Sequence, residues 1–110
     1  MTMADELQIE PQALQAALTR GARPRLIDVR EPWEHEICRL EGAELIPLGE
    51  IPTRHQELLD ADEVVLYCHH GIRSLDAAVW LRQQGVKGAK SLAGGIDRWA
   101  QEIEPGLPRY

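Results

Sequence analysis

Apolar residues along the chain follow two alternating patterns. Short apolar runs of strand length are separated by stretches in which apolar residues recur at helical spacing. The predicted strands are residues 7–9, 25–29, 44–46, 63–67 and 89–92. The predicted helices begin near Pro11, Ile51, Leu75 and Ile96. Because parallel strands need a crossover between them, usually a helix, this alternation predicts an α/β fold with a mainly parallel sheet covered by helices on both faces.

Glycine and proline mark the ends of these elements. Pro11 is suited to the first turn of a helix, Gly21 and Gly85 are suited to helix ends, and Pro47 ends the third strand. Residues 30–41 are rich in charge and have no predicted element of their own, so we interpret them as a charged connection.

Length and composition limit what the chain can be. Its 110 residues predict a single domain, with a core over about 7–101 and a Pro-containing tail over 103–110. A net charge of −6 disfavours binding to nucleic acid or to an anionic membrane. The chain starts without a basic segment and has no apolar run of bilayer length. We therefore expect a soluble, cytoplasmic protein that acts without nucleic acid or a membrane.

The chain has two cysteines, Cys38 and Cys68, which are too few for the disulfide framework of a small secreted domain. A single Cys38–Cys68 bridge is the alternative. We expect free thiols in a reducing compartment, at least one of them functional.

Cys68 follows the strongest predicted strand, residues 63–67, and open α/β sheets place their sites at such strand ends. A turn through Gly71 leads into a helix, so backbone N–H groups point towards the sulfur and favour a thiolate. Arg73 adds a permanent positive charge. We predict that Cys68 is an activated nucleophile. The residues predicted to surround its anion are His69, His70, Gly71, Ile72 and Arg73.

The loop is compact, with four residues between Cys68 and Arg73. A ring of amides of this size suits one small anionic group, such as the outer sulfur of a Cys–S–S⁻ persulfide. No metal or organic cofactor is needed for that stabilisation. The reaction class is a double displacement through a covalent intermediate on the protein.

Several segments resemble the single-domain rhodanese family. They are 26–34, 42–43, 46–48, 67–74 and 92–95, together with Trp99. The combination of Asp-Val-Arg-Glu at 28–31 with Cys-x-x-Gly-x-Arg at 68–73 is specific, whereas either motif alone would be weak. The resemblance implies a rhodanese-like three-layer fold with a central five-stranded, mainly parallel sheet flanked by helices.

The same resemblance implies a sulfurtransferase activity. Sulfane sulfur would pass from a small anionic donor such as thiosulfate, through a Cys68 persulfide, to cyanide, a thiol or a sulfur-carrier protein. Asp28 and Arg30 would support the loop from a neighbouring strand end through charge-assisted hydrogen bonds. Two departures are visible: Cys38-Arg39-Leu40 stands where relatives commonly have Gly-His-Ile, and a His69-His70 pair follows the nucleophile where many have a cation.

Each of these features also has a simpler interpretation. Cys68 could be a buried core cysteine, and adjacent histidines on a loop are usually solvated. Arg30 could form only a surface ion pair with Glu31 or Glu34. The tryptophans are interpreted as packing residues: Trp33, Trp80 and Trp99.

A zinc site would join Cys68, His69 and His70 with His35 or His55. The spacing disfavours it, because adjacent residues rarely supply two ligands to one structural zinc and the chain has no Cys-x-x-Cys element.

Two other functions share the predicted architecture. A Cys-dependent phosphatase or arsenate reductase would use a similar loop, but dual-specificity cell-cycle phosphatases have a loop one residue longer, as a tetrahedral phosphate requires. A non-catalytic rhodanese-like binding module usually lacks the nucleophile. Cys68, Gly71 and Arg73 are all present here, which favours catalysis.

Overall fold

The computed structural model describes residues 7–110 and contains one five-stranded sheet. Its strands are β1 (Gln8–Ile9), β2 (Arg25–Asp28), β3 (Glu44–Leu45), β4 (Val64–Tyr67) and β5 (Ala89–Leu92). They lie in the order β1-β5-β4-β2-β3, and all four neighbouring pairs are parallel. The predicted α/β fold with a parallel sheet is confirmed.

Within residues 8–110, five α-helices connect or follow the strands. They are α1 (Pro11–Thr19), α2 (Pro32–Ile37), α3 (Ile51–Arg54), α4 (Ile72–Gln83) and α5 (Gly95–Glu102). Short 3-10 turns cover Leu48–Glu50 and His55–Leu58, so the helix predicted from Ile51 is a short α-helix that tightens into a 3-10 turn. Among residues 7–110, no helix is both long enough and apolar enough to cross a bilayer.

Helix α2 lies in the charged connection where no element was predicted. Pro32 occupies its first turn, and Glu31 and Glu34 form a reciprocal capping box in which the Glu31 N–H donates to the Glu34 carboxylate at 3.0 Å. The segment described from the sequence only as charged therefore contains a helix. The helix turns Glu34 inward until only 3% of the residue is exposed.

The central strands β2 and β4 pack apolar side chains on both faces, as expected for a covered parallel sheet. On one face Ile27 and Leu66 pack with Ala78 and Leu81 of α4. The core on the other face lies between the sheet and helices α1 and α5. Its buried residues are Leu14, Leu26, Cys38, Leu40, Val65, Tyr67, Leu92, Ile96 and Trp99. The tail over 103–110 returns to this second face.

The sheet topology creates a crevice at the carboxyl ends of β2 and β4. These strands are neighbours, and Asp28 at the end of β2 pairs with Tyr67 at the end of β4. From β2 the chain continues to β3 on one side, whereas from β4 it continues to β5 on the other. Ligand sites of open α/β sheets lie at such switch points. Cys68 immediately follows β4.

Candidate active site

The Cys68 sulfur lies at the base of a loop formed by residues 68–74, and only 1% of the residue is exposed. The backbone N–H of Gly71 donates to Sγ at 3.1 Å, and that of Ser74 donates at 3.4 Å. Helix α4 begins at Ile72, so its N-terminal end faces the sulfur. Amide donors and a helix N-terminus both stabilise negative charge at Sγ.

Two glycines allow the loop to take this shape. Gly71 has φ +97°, a left-handed conformation in which it can turn the chain into α4. Gly95 packs against the loop so closely that a Cβ there would lie 2.5 Å from the Cys68 carbonyl oxygen. Next to it, the Ile96 N–H donates to that oxygen at 2.9 Å, and the Asp97 N–H donates to the His69 carbonyl at 3.0 Å. The start of α5 therefore fixes the loop.

Two buried serine hydroxyls lie beneath the sulfur. Ser74 Oγ is 3.4 Å from Cys68 Sγ and 2.7 Å from Ser91 Oγ on β5. When Ser91 donates to Ser74, the Ser74 hydroxyl is free to donate to the sulfur. Together with the two amides, this hydroxyl can supply a third donor to an anionic sulfur.

Arg73 forms a two-pronged ion pair with Glu34 of α2. Its two Nη atoms lie 3.0 and 3.1 Å from the two carboxylate oxygens. Burial opposes ionisation of Glu34, but hydrogen bonds from Arg73, the Glu31 amide and the Tyr110 hydroxyl outweigh it and lower the pKa of Glu34 to about 2. The hydrogen bond to Glu34 also raises the pKa of Arg73. Arg73 thus stands beside the loop as a positioned cation rather than a free one.

Asp28 and Arg30 form a second, fully buried pair at the end of β2. Arg30 Nε and Nη2 donate to the Asp28 carboxylate at 2.8 and 2.7 Å, and Nη2 also donates to the Cys38 carbonyl at 2.6 Å. Asp28 further contacts His35 Nδ1 at 2.8 Å. The surface ion pair considered for Arg30 is therefore wrong, because Arg30 has no exposed surface and pairs with Asp28.

Tyr110 of the tail connects the two ion pairs. Arg30 Nη1 donates to the Tyr110 hydroxyl at 2.7 Å, and that hydroxyl donates to Glu34 Oε2 at 2.7 Å. Burial and the Glu34 carboxylate raise the pKa of Tyr110 against an opposing effect of Arg30, so the hydroxyl keeps its proton. The link from Asp28 and Arg30 to the Cys68 loop runs through this tyrosine and Glu34.

The two loop histidines lie on the side of the loop that faces the tail. The His69 ring stacks on Tyr110 with centroids 4.0 Å apart and on His70 at 4.1 Å. Burial, with a smaller effect of His70, lowers the pKa of His69. Asp97 lies 4.0 Å from His69 and 3.9 Å from His70, and it also pairs with Arg109 at 2.9 Å.

The remaining residues singled out from the sequence lie outside this arrangement. Ile72 contributes the first residue of α4, but its side chain points to solvent and the residue is 73% exposed. Arg39 is exposed and donates to the His35 carbonyl at 3.2 Å. The Cys38 thiol is not joined to the site by a bridge, because Cys38 and Cys68 are both free thiols. Trp33, interpreted as a packing residue, is 58% exposed.

The zinc arrangement considered above is not formed among the described residues. Within 7–110 no three His, Cys, Asp or Glu side chains are grouped closely enough to share a metal ion. His55 instead packs edge-on against Trp80 at 5.3 Å, and its Nδ1 contacts the Pro52 carbonyl at 2.9 Å.

Sequence reasoning did not assign a role to Glu34, Ser91 or Tyr110. Their partners lie 39, 17 and 76 to 80 residues away along the chain, beyond the reach of any local pattern. The Glu31-Pro32-x-Glu34 sequence was the available signal for Glu34, because a capping box predicts a helix start.

Comparisons with known proteins agree with this architecture. The model of the Rhodanese-like domain family matches residues 10–102. The chain is 35% identical over 101 residues to a protein named Sulfurtransferase from Allochromatium vinosum, with 92% of each chain covered. It is 36% identical over 104 residues to the probable adenylyltransferase/sulfurtransferase MoeZ of Mycobacterium tuberculosis, covering 93% of this chain. The chain spans only about a quarter of that larger protein, 26% of its length.

Solved structures give the same result. The human single-domain sulfurtransferase TSTD1 superposes with a TM-score of 0.72 at 26% identity, covering 87% of this chain and 96% of that one. A rhodanese-related protein from Thermoplasma volcanium has a TM-score of 0.76 at 29% identity, with 92% and 94% covered. The resemblance first noted from sequence motifs is confirmed: this chain belongs to the rhodanese-like domain family.

Proposed function

We propose that the chain is a sulfurtransferase that carries sulfane sulfur as a persulfide on Cys68. The observation that carries this proposal is the pair of backbone amides, those of Gly71 and Ser74, that donate to Sγ at 3.1 and 3.4 Å. Donors fixed around a sulfur stabilise an anion there without reorganising during the reaction. The sulfurtransferases among the chain's relatives support the same reaction class.

The reaction is a double displacement. The Cys68 thiolate attacks the outer sulfur of thiosulfate, the S–S bond of the donor breaks, and sulfite leaves with the electron pair. A Cys68–S–S⁻ persulfide remains. An acceptor nucleophile, such as cyanide or a thiolate, then attacks the outer sulfur, and Cys68 leaves as a thiolate. Cyanide becomes thiocyanate, a thiol acceptor becomes a persulfide, and no electrons are gained or lost overall.

The loop supplies binding as well as stabilisation. Arg73 stands beside the loop with 37% of its side chain exposed, so it can attract an anionic donor while Glu34 holds its guanidinium in place. His69, His70, Gly71 and Ile72 complete the loop mainly through their backbone. Asp28 and Arg30 support it from the end of β2. A thiol or a sulfur-carrier protein is the expected acceptor class besides cyanide.

Intact mass spectrometry tests this function directly. After treatment with thiosulfate and removal of excess reagent, the protein should gain the mass of one sulfur atom, and cyanide should remove it with release of thiocyanate. Cys68→Ser should gain nothing, whereas Cys38→Ser should gain the same mass as the unmodified protein. A sulfur adduct that survives Cys68→Ser, or an unmodified protein that takes up no sulfur from thiosulfate, would refute the proposal.

A further inference from the structure

The tail residue Tyr110 touches the site at four points. Its hydroxyl lies between Arg30 and Glu34, its ring stacks on His69 with an interplanar angle of 12°, and the ring meets Trp33 edge-on at 5.9 Å. Next to it, Arg109 donates to Asp97 at 2.9 Å. The tail is thus attached to the loop side of the site by charge, hydrogen bonds and ring contacts together.

The hydroxyl fixes the direction of a hydrogen-bond chain. Because Arg30 can only donate, Tyr110 must accept from Arg30 and donate to Glu34. Two ion pairs, Asp28–Arg30 and Glu34–Arg73, become one network, because the tyrosine hydroxyl bonds to a charged side chain of each pair. The orientation of the Glu34 carboxylate is therefore determined from the core side as well as from the loop side.

This link changes how strongly Arg73 is neutralised. The Tyr110 proton engages Glu34 Oε2, the same oxygen that accepts from Arg73 Nη2. A carboxylate oxygen that shares its charge between two donors leaves more of the Arg73 charge available to an incoming anion. Without the hydroxyl, the Glu34 carboxylate would keep only Arg73 and the Glu31 amide as donors, and it would lose its contact with the core side.

The ring has a separate consequence. Stacked on His69 and in edge-on contact with the exposed indole of Trp33 on α2, it covers the side of the loop that faces the tail. A ring held by both contacts is placed as a wall against bulky groups that approach the loop from the tail. Small anions pass it more easily than donors with a bulky group beside the sulfane sulfur.

We propose that Tyr110 is a positioning and specificity-determining residue: its hydroxyl sets the charge that Arg73 presents, and its ring restricts the site to small anionic donors. The part of this inference that concerns sulfur donors rests on the proposed function. Its first test does not, since that test measures only how charged and neutral reagents reach the Cys68 thiol.

The first test compares alkylation of Cys68 by iodoacetate, an anion, and by iodoacetamide, its neutral counterpart, in Cys38→Ser protein. The ratio of the two rates reports the positive charge near the thiol and cancels changes in thiolate content. Tyr110→Phe keeps the ring and removes the hydroxyl, and it should lower the ratio about threefold or more. An unchanged ratio would refute the role of the hydroxyl.

A double-mutant cycle asks whether the hydroxyl acts through Glu34. In a Glu34→Gln background the carboxylate charge is absent, so adding Tyr110→Phe should leave the iodoacetate to iodoacetamide ratio unchanged. An equal fall in both backgrounds would contradict the proposed route through Glu34. Thermal unfolding of each variant checks that the fold is retained during alkylation.

The second test uses sulfur donors of different size. Tyr110→Phe should raise the KM for thiosulfate about threefold or more and change kcat much less, because the change affects donor binding. Tyr110→Ala also removes the wall, so it should raise kcat/KM for benzenethiosulfonate relative to thiosulfate, whereas Tyr110→Phe should not. If neither variant shifts that preference, the ring does not restrict the entrance. If the unmodified protein transfers no sulfur, the proposed function fails while the alkylation result for Tyr110 stands.

Discussion

The two cysteines of this chain are both buried and both free, but their surroundings differ in every other respect. Cys68 follows β4 and faces the N-terminal end of α4, where two backbone amides and a serine hydroxyl reach its sulfur. Cys38 caps the C-terminal end of α2 and packs in the core on the opposite face of the sheet, and Arg30 Nη1 lies 3.9 Å from its sulfur, a long contact.

Burial alone therefore does not distinguish a reactive thiol from a core residue. What differs is the direction of the backbone: amides point at Cys68, whereas Cys38 stands at the carbonyl end of a helix, where a negative charge is not favoured. If Cys68 were only a core cysteine, its burial would be explained, but the two amide hydrogen bonds to its sulfur would not. The comparison can be tested from both sides.

The largest expected effect separates the two cysteines directly. Cys68→Ser should reduce transfer of sulfur from thiosulfate to cyanide by at least about 10³-fold, because a serine hydroxyl cannot form the persulfide. Cys38→Ser should keep substantial activity. Steady-state thiocyanate formation measures both, with circular dichroism to verify folding. Equal losses in the two variants would instead indicate a dithiol mechanism.

The second effect concerns the geometry of the amides. One glycine inserted after His70 should reduce sulfur transfer roughly 10²-fold, because it moves the Gly71 amide and the start of α4 away from Sγ. The same insertion after Gly21, an exposed position with open space around it, is the matched control and should have little effect.

A phosphatase assay of the unmodified protein tests the phosphatase alternative. The unmodified loop, with four residues between Cys68 and Arg73, should hydrolyse aryl phosphates negligibly. Release of p-nitrophenol from its phosphate ester measures this. Robust turnover would make a Cys-dependent phosphatase the better description of the site.

The third effect concerns Arg73, the cation held beside the Cys68 loop by Glu34. Arg73→Ala should lower kcat/KM for thiosulfate about tenfold or more and shift alkylation of Cys68 by a neutral reagent to higher pH, since the thiolate and the donor both lose a cation. Arg73→Lys should rescue alkylation better than donor affinity, because lysine restores charge without the two-pronged contact to Glu34. An unchanged profile for Arg73→Ala would mean that this cation does not act on the site.

Much of the fold could be predicted because its signals are local. The central strands of a covered parallel sheet are apolar on both faces, so the apolar residues at 26–27 and 64–67 stand out in the sequence. Helix α2 was missed because its inward face carries Glu34 rather than an apolar residue. In the sequence, a buried glutamate within a charged segment cannot be distinguished from a solvent-exposed one, because its partner Arg73 lies far along the chain.

The candidate site likewise has a part that the sequence predicts and a part that it does not. The loop from Cys68 to Arg73 is continuous in sequence, so its turn, its cation and its nucleophile could be recognised together. The link from Arg30 through Tyr110 to Glu34 joins residues 76 and 80 positions apart. Only the fold brings these residues together, because a hydrogen bond between a tail and a strand end leaves no periodic pattern in either segment.

The fourth effect is on stability rather than on activity, and it tests Glu34, which contacts the surroundings of both cysteines. The Glu34 carbonyl accepts from the Cys38 N–H at 3.2 Å, while its carboxylate holds Arg73 beside Cys68. Against its ordinary value of 4.5, the pKa of Glu34 is lowered to about 2 in the folded protein, where hydrogen bonds from Arg73, Glu31 and Tyr110 outweigh the opposing effect of burial. A lowered folded pKa contributes stability that is present above the unfolded value and is lost as pH falls towards the folded one. The shift corresponds to at most about 3 kcal/mol, lost below pH 4.5.

Urea unfolding from neutral pH down to about pH 3 measures this dependence. Glu34→Gln should lower stability at neutral pH, since a neutral amide pairs less well with Arg73, and should flatten the acid limb of the curve because this titration is gone. The matched control is Glu57→Gln, which removes an exposed carboxylate that also pairs with an arginine, Arg54, at 3.0 Å and should leave the acid limb nearly unchanged. Parallel acid limbs for the unmodified protein and Glu34→Gln would show that Glu34 is solvated. The network that joins the Asp28–Arg30 and Glu34–Arg73 ion pairs would then be absent in solution. The role proposed for Tyr110 through Glu34 would be refuted as well.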